Sequence, residues 1–389
     1  MLQFHLIAIG MRFKAAHTYT TTFFIAIATA TLATSCPAQA IDSLDIKLGQ
    51  MLLVGFRGYD VTLATPIVGD IKYRHLGGVV LYDNDVPSGL KERNIESPEQ
   101  VRNLTTQLQE HAEIPLFIGI DQEGGWVNRL KERRGFIPTM SQQKLGAKND
   151  TAFTYRYAQK TAQQLRSIGI NLNFAPVVDV NSNPENPVIG KLERSFSANP
   201  YSVTKHALAT IKAHRSKGVL CAIKHFPGHG SAWHDSHEGL ANVSTTWSMT
   251  ELIPFRQIIR ADECDIVMTA HIFNGKLDGE YPATLSEKII GGILRDSLGY
   301  DGVVISDDLQ MHAITNFYGL EQAILKAVQA GVDILLFSNN SIYDDEISEK
   351  AIRILRHYVR TGKISEDRID ASFRRIMTLK REIGWKPTN

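Results

Sequence analysis

Short apolar runs alternate with amphipathic stretches along most of the chain, beginning near residue 42. Eight of the apolar runs have the length of strands. Several are apolar at nearly every position, which is typical of parallel strands covered by helices on both faces. We predict strands at residues 51–56, 78–82, 116–120, 172–178, 219–224, 266–270, 302–306 and 332–337.

The stretches between these runs predict helices. Residues 97–110 begin with a Ser-Pro start signal, residues 154–168 place apolar side chains at helical spacing, and residues 321–330 end at Gly331. Eight strands alternating with helices predict a single (β/α)8 barrel of the TIM type with enlarged loops after the strands. A doubly wound open sheet has the same alternation and remains an alternative, because a strand count does not show closure.

The first 40 residues have the pattern of a secretory signal peptide. Arg12 and Lys14 precede an apolar run over residues 23–33, and residues 38–40 read Ala-Gln-Ala, an arrangement typical of a cleavage site. We therefore expect residues 1–40 to be removed, with one barrel domain over residues 41–389. The apolar run is short for a transmembrane span, so we expect export to the periplasm or outside the cell. Lipid anchoring through Cys36, which follows a loose match to an acylation site, is an alternative.

Charge and cysteine content narrow the possible partners. The formal net charge is +1, with 43% hydrophobic and 21% charged residues. A charge balance this near neutral does not indicate binding to nucleic acid or to anionic membranes, so we expect a small-molecule substrate. We also expect a monomer. Only Cys221 and Cys264 follow residue 40. They lie in or beside apolar runs, which favours two free buried thiols over a disulfide framework.

Polar residues follow the carboxyl ends of five predicted strands, where the active sites of TIM barrels are assembled. The densest segment is residues 224–237, which hold a lysine and four histidines in a glycine-containing loop after the fifth strand. The polar residues are Asp121, Glu123 and Arg129 after the third strand, Asp179, Asn181 and Arg194 after the fourth, Lys224 and His225 at the fifth, His271 after the sixth, and Asp307 and Asp308 after the seventh.

These residue types limit the chemistry. The chain has no Gly-x-Ser-x-Gly segment and no cysteine beside the histidine loop, so carboxylates and histidines remain as reactive groups. Asp307 can act as a nucleophile on an electrophilic carbon, and a loop histidine can protonate the leaving group. Zinc binding by the histidines is the main alternative. However, the first and eighth strands lack the ligands that metal-dependent barrel hydrolases place there, so we expect no metal and no cofactor.

The same segments resemble a known family. Residues 224–230, Lys-His-Phe-Pro-Gly-His-Gly, together with Asp-Ser-His at 235–237, resemble the signature of NagZ-type β-N-acetylglucosaminidases of glycoside hydrolase family 3. Residues 120–125, 194–196, 282–286 and 305–309 are similar to further landmarks of that family, in the same order. The resemblance covers about residues 45–385.

The resemblance implies a retaining, metal-free enzyme that removes terminal β-linked N-acetylglucosamine, often from cell-wall fragments. It implies that Asp307 is the nucleophile, His237 the acid/base, and Asp235 the partner of His237. An imidazole with an ordinary pKa of roughly 6.5 suits proton transfer near neutral pH. Five residues match positions that hold the hydroxyl groups of the terminal sugar: Asp121, Arg129, Arg194, Lys224 and His225.

Two further alternatives remain. One is a carbohydrate-binding barrel without activity, although binding needs none of the chemistry of Asp307, Asp235 and His237. The other is a relaxed β-glucosidase-like exo-glycosidase of the same family, which usually takes its acid from a further domain. The chain also departs from the family pattern. We predict an export signal, whereas NagZ-type enzymes of Gram-negative bacteria recycle wall fragments in the cytoplasm. Residues 231–234 also differ from the expected loop sequence.

Overall fold

Eight short parallel strands form the centre of the computed structural model, which describes residues 44–61, 66–235 and 239–384. Each strand lies within or overlaps a run predicted from the sequence. In chain order they are β1 (Leu52–Gly55), β2 (Gly78–Leu81), β3 (Phe117–Ile120), β4 (Leu172–Asn173), β5 (Leu220–Phe226), β6 (Ile266–Thr269), β7 (Val303–Ile305) and β8 (Leu335–Phe337).

The sheet follows the order β7-β6-β5-β4-β3-β2-β1-β8, so nearly every strand pairs with its neighbour in sequence. β1 pairs with β8 through Leu52 and Leu335. At the other edge, Ile305 of β7 forms a parallel bridge with Ile334, and Ser306 donates a backbone hydrogen bond to the Ile334 carbonyl at 3.0 Å. Because both edges meet at β8, the sheet is nearly closed, which confirms the predicted TIM-type barrel and excludes the open sheet.

One predicted strand is shorter than expected. The ladder of β4 covers only Leu172–Asn173, whereas the apolar run continues to residue 178. Beyond it, pairing resumes as a single bridge between Val177 and Lys224. Pro176 has no backbone N–H to donate to a ladder, which explains the interruption.

Helices surround the barrel, and their ends follow capping signals in the sequence. Ser97 accepts a hydrogen bond from the Gln100 N–H at the start of Pro98–Glu110, and Asp150 caps Thr151–Ser167, which begins three residues before the prediction. Gly331, with φ of 116°, ends His312–Ala330, a helix interrupted at Gly319. The remaining helices are Leu44–Gln50, Pro66–Arg74, Gln142–Ala147, Pro200–Arg215, Ile253–Arg260, the π-type Lys288–Ser297, Ile347–Arg360 and Glu366–Glu382.

The amino end of the barrel is fixed by a buried charge cluster. Asp333, two residues before the start of β8, lies 2.8 Å from Arg295 and 3.2 Å from Arg368, and accepts a hydrogen bond from Ser372 at 2.7 Å. These contacts join two outer helices to the barrel at the end opposite the polar loops. They support a structural role for Asp333.

Other predictions concern residues 1–40 and the thiols. Cys221 and Cys264 are both free, as expected. Across the described ranges, no helix combines the length and apolar character that a bilayer span requires. The predicted signal peptide and Cys36 lie outside the described residues.

Candidate active site

A cavity of about 530 Å³ lies at the carboxyl ends of the barrel strands. Seven of the eight site residues predicted from the sequence line it, and the eighth, His237, lies outside the described residues. Those seven are Asp121, Arg129, Arg194, Lys224, His225, Asp235 and Asp307. The barrel therefore brings together side chains that are far apart in sequence. Asp121 and Asp307, for example, are 186 positions apart.

A second cavity, of about 630 Å³, lies at the opposite end of the barrel, near the starts of β5, β6 and β7. Its lining includes Arg215, which is paired with Asp265 at 2.6 Å, and Arg375, which is paired with Asp301. Active sites of TIM barrels lie at the carboxyl ends of the strands, because the βα loops that carry function start there. The 530 Å³ cavity is therefore the candidate site.

A buried ion cluster forms one wall of this cavity. Glu123 accepts two hydrogen bonds from the Arg194 guanidinium, from Nε to Oε2 and from Nη2 to Oε1, both 2.8 Å. The Lys224 ammonium lies 2.7 Å from Oε1 of Glu123 and donates to Oδ1 of Asp121 at 2.7 Å. Burial alone would raise the pKa of Glu123, but the charges of Arg194 and Lys224 outweigh it and lower that pKa to about 2. Glu123 is therefore ionised at neutral pH.

Glu123 is one of the polar residues noted after the third strand, but it was not predicted to be a site residue. The available signal was its spacing, because residues two apart on extended backbone point to the same face and Asp121 lies two positions before it. Asp121 is held in its charged form as well. Burial acts to raise the pKa of Asp121, and the charges of Lys224 and Arg129 lower it below its ordinary value.

A short hairpin after β3 brings Arg129 back to Asp121. Its strands are Gln122–Gly124 and Val127–Asn128, and Arg129 Nη2 lies 3.5 Å from Asp121 Oδ2. The guanidinium also lies over the ring of Tyr82, 5.2 Å from its centroid, and 4.0 Å from the buried carboxylate of Asp83. Arg129 thus adds a third cation to the cluster.

His225 is fixed by the buried carboxylate of Asp179, a second residue missing from the predicted set. Its Nδ1 lies 2.7 Å from Asp179 Oδ2, and its Nε2 lies 3.1 Å from Nη2 of Arg194. A guanidinium can only donate, so Nε2 must accept and the proton of the neutral ring resides on Nδ1. Asp179 therefore sets the tautomer and the direction of a ring that lines the cavity.

His229 lies four residues further along the chain and is buried. Burial lowers the pKa of His229 to about 4, and the neighbouring His225 adds to that effect. Its backbone N–H donates to Oδ1 of Asp179 at 2.7 Å. A neutral buried ring at this position supports the interpretation that His229 shapes the loop.

Asp307 and Asp308 follow β7 and have different surroundings. Asp307 is half-buried in the cavity wall, and its Oδ1 accepts from the N–H of Asp308 at 2.8 Å. Asp308 is buried, and its Oδ1 accepts from the backbone N–H groups of Gln310 and Ser338 at 3.1 and 3.0 Å. It therefore joins the loops after β7 and β8 and does not cap the helix that begins at His312. His271, at the end of β6, supports this loop with a 2.9 Å contact to the Asp308 carbonyl.

The loop after β5 places Asp235 in the cavity lining. Trp233, two residues earlier, leaves 59% of its surface exposed, so it does not pack into the core. Residues 236–238 lie outside the described residues, and among those that the structure describes, no group of three or more His, Cys, Asp or Glu side chains is arranged to hold a metal ion.

Residues 43–379 match the family described as Glycosyl hydrolase family 3 N terminal domain. The chain belongs to glycosyl hydrolase family 3. This result confirms the resemblance seen in the loop motifs. The match extends over most of the chain, so it includes every strand of the barrel and all the residues that line the cavity.

Relatives of this family 3 chain are named hexosaminidases. It is 36% identical over 390 residues to Beta-hexosaminidase A of Pseudoalteromonas piscicida, covering 91% of this chain and 63% of that protein. It is 32% identical over 342 residues to Beta-hexosaminidase LpqI of Mycobacterium tuberculosis, covering 86% and 82%. The chain thus spans less than two thirds of the length of the first of these relatives.

Solved structures of the family have the same fold. A family 3 beta-N-acetylglucosaminidase from Paenibacillus sp. superposes with a TM-score of 0.80 at 38% identity, covering 89% of this chain and 64% of that one. Beta-N-acetylhexosaminidase from Beutenbergia cavernae superposes with a TM-score of 0.78 at 28% identity, covering 87% and 98%. The family 3 barrel is therefore shared with enzymes both longer than and similar in length to this chain.

Proposed function

We propose that this family 3 protein is a retaining exo-glycosidase that hydrolyses terminal, non-reducing β-linked N-acetylglucosamine or a related N-acetylhexosamine. One observation carries the proposal: the half-buried carboxylate of Asp307 faces the same cavity as the ion cluster of Asp121, Lys224 and Arg194. A nucleophile and a set of fixed hydroxyl-binding groups are the two parts that such an enzyme requires. The names of the relatives agree with this reaction.

The ion cluster suits the recognition of a sugar ring. A hydroxyl group both donates and accepts, so Asp121 can accept from one while Lys224 and the two arginines donate to others. These side chains already hold one another by ionic hydrogen bonds before substrate arrives. Little side-chain freedom is then lost on binding, which favours affinity for a correctly shaped ring.

The proposed reaction has two steps. Asp307 attacks the anomeric carbon and forms a glycosyl ester, while the bond to the leaving oxygen breaks and that oxygen takes the electron pair and a proton from His237. Water then attacks the anomeric carbon, gives a proton to His237 and releases Asp307. Asp235 would orient the imidazole and favour its protonated form for the first step. The N–H of Asp308, 2.8 Å from Oδ1 of Asp307, orients the nucleophile.

The place of action and the natural substrate are part of the proposal. Residues 1–40 would direct export, and the enzyme would act on cell-wall-derived or other oligosaccharides in the periplasm or outside the cell. Mass spectrometry of the N-terminus of the protein recovered from cells tests this. A new N-terminus at residue 41 supports cleavage, an acylated Cys36 supports a lipid anchor, and an intact cytoplasmic chain contradicts export.

Hydrolysis of matched p-nitrophenyl β-N-acetylglucosaminide and β-glucoside tests the reaction. We expect activity on the acetamido sugar alone, unchanged by a chelator, and reduced by orders of magnitude in Asp307→Ala and His237→Ala. Asp301→Ala, just before the amino end of the same strand β7, is the matched control and should retain activity. A folded wild type that turns over neither substrate would refute the proposal, and chelator-sensitive activity would indicate a metal.

A further inference from the structure

A carboxyl group with no part in the proposed reaction lies beneath the loop that carries Asp235. Glu251 belongs to the short 3-10 turn Met249–Leu252 and is only 1% exposed. Its Oε2 accepts a hydrogen bond from the N–H of Gly230 at 2.9 Å. A Cβ atom at Gly228 would lie 2.5 Å from Cβ of Glu251, so the loop backbone packs directly on this side chain.

The opposite side of the same segment is held by Asp179. The N–H of His229 donates to Oδ1 of Asp179 at 2.7 Å, and Asn186 donates to the carbonyl of His229, also at 2.7 Å. Two buried carboxyl groups, on separate elements, therefore bind consecutive backbone N–H groups, those of His229 and Gly230. The segment 228–231 is clamped between them, and Asp235 follows four residues later.

The surroundings of Glu251 favour its neutral form. Burial raises the pKa of Glu251 to about 8, and the charge of Asp179 acts in the same direction, while hydrogen bonds from Ser231 and Gly230 act against it. A protonated Glu251 carboxyl can accept the hydrogen bond from the N–H of Gly230 without placing a second negative charge near Asp179. Glutamine matches that group in size and charge, which provides a conservative substitution.

We propose that Glu251 is a positioning residue that seats the segment 228–231 and thereby sets the position of Asp235 for proton transfer to the leaving group. Glu251 is not part of the cavity lining, so it acts through the loop and does not contact the substrate. This inference rests on the proposed function.

Leaving-group dependence tests the proposal. A 2,4-dinitrophenyl glycoside departs without protonation, whereas the second sugar of N,N′-diacetylchitobiose needs a proton from the enzyme. The kcat/KM for each substrate is measured for wild type, Glu251→Asp, whose carboxyl is one methylene shorter, and Glu251→Gln. Thr250→Ala, at an exposed position of the same turn, is the matched control.

We expect Glu251→Asp to lose about tenfold or more on the disaccharide, the effect of one hydrogen bond, and little on the dinitrophenyl glycoside. Glu251→Gln and Thr250→Ala should both stay near wild type on the two substrates. Equal losses on both substrates in Glu251→Asp, or a Glu251→Gln protein as impaired as Glu251→Asp, would overturn the inference while leaving the proposed function intact. A wild type inactive on both substrates would overturn the proposed function and this inference with it.

Discussion

Replacing Glu123 by glutamine removes the central negative charge of the buried cluster while keeping the shape of the side chain. In the folded protein this carboxylate binds Arg194 through two hydrogen bonds and Lys224 through a third contact. In the variant, Arg194 and Lys224 remain buried with less negative charge near them. Lys224 keeps Asp121 as a partner, whereas Arg194 loses its carboxylate.

The size of the effect follows from the titration of Glu123. A pKa lowered from 4.5 to about 2 on folding corresponds to about 3 kcal/mol of stability. Removing one partner of a buried ion pair typically costs about 3–5 kcal/mol of stability, which agrees with this value. Because the folded-state pKa is the lower one, this contribution is fully present above pH 4.5 and is lost as the pH falls through 2. At pH 3 about 1 kcal/mol should remain.

Urea unfolding of wild type and Glu123→Gln at pH 7 and pH 3 measures this difference. We expect the free energy of unfolding of the variant to be lower by about 3 kcal/mol at pH 7 and by about 1 kcal/mol at pH 3. Glu185→Gln, which alters an exposed pair with Lys191, should change it by less than about 1 kcal/mol. A Glu123→Gln effect that is equally large at both pH values would refute the ionic explanation.

Two further substitutions test the backbone and tautomer arguments. Asp179→Asn replaces the charged acceptor of the hydrogen bond from Nδ1 of His225 by a neutral one. We expect kcat/KM on the p-nitrophenyl N-acetylglucosaminide to fall about ten- to a hundredfold, and an unchanged value would contradict a role for this charged hydrogen bond in holding His225. Gly228→Ala forces a Cβ against Glu251 at a φ of +118°, so we expect a lower midpoint of thermal unfolding and lower activity. Gly292→Ala, where a Cβ meets open space in a helix, is its control, and equal behaviour of the two variants would argue against the close packing.

The sequence predicted the barrel well because its strands are buried on both sides and therefore read as continuous apolar runs. Closure of the barrel depends on contacts between β7, β8 and β1, and these distant contacts cannot be predicted from a local sequence pattern. The end of β4 was missed because the apolar run continues past Pro176, although the hydrogen-bonded ladder does not. Helix starts were off by a few residues where a capping side chain, such as Asp150, lay outside the apolar periodicity.

The seven predicted residues that line the cavity were found because they lie in or near motifs that follow the barrel strands and resemble landmarks of the family. Glu123, Asp179 and Glu251 were not chosen, since their roles come from buried partners that are distant in sequence. Glu123 contacts Arg194 across 71 positions, and Asp179 contacts His225 across 46. A carboxyl group in a sequence does not show whether it meets water or a buried cation, so such supporting residues require the three-dimensional arrangement.

The shared carboxylate of Glu123 has a consequence for redesigning the specificity of the proposed glycosidase. Arg194 lies in the segment between β4 and β5 and Lys224 lies in β5 itself, yet both are neutralised by one side chain. A change at either residue therefore alters the charge balance around the other. Libraries that vary these positions one at a time would sample mostly impaired proteins. Variation at apolar lining residues that lie outside the ionic network, such as Leu192 and Met268, offers independent steps toward other sugars.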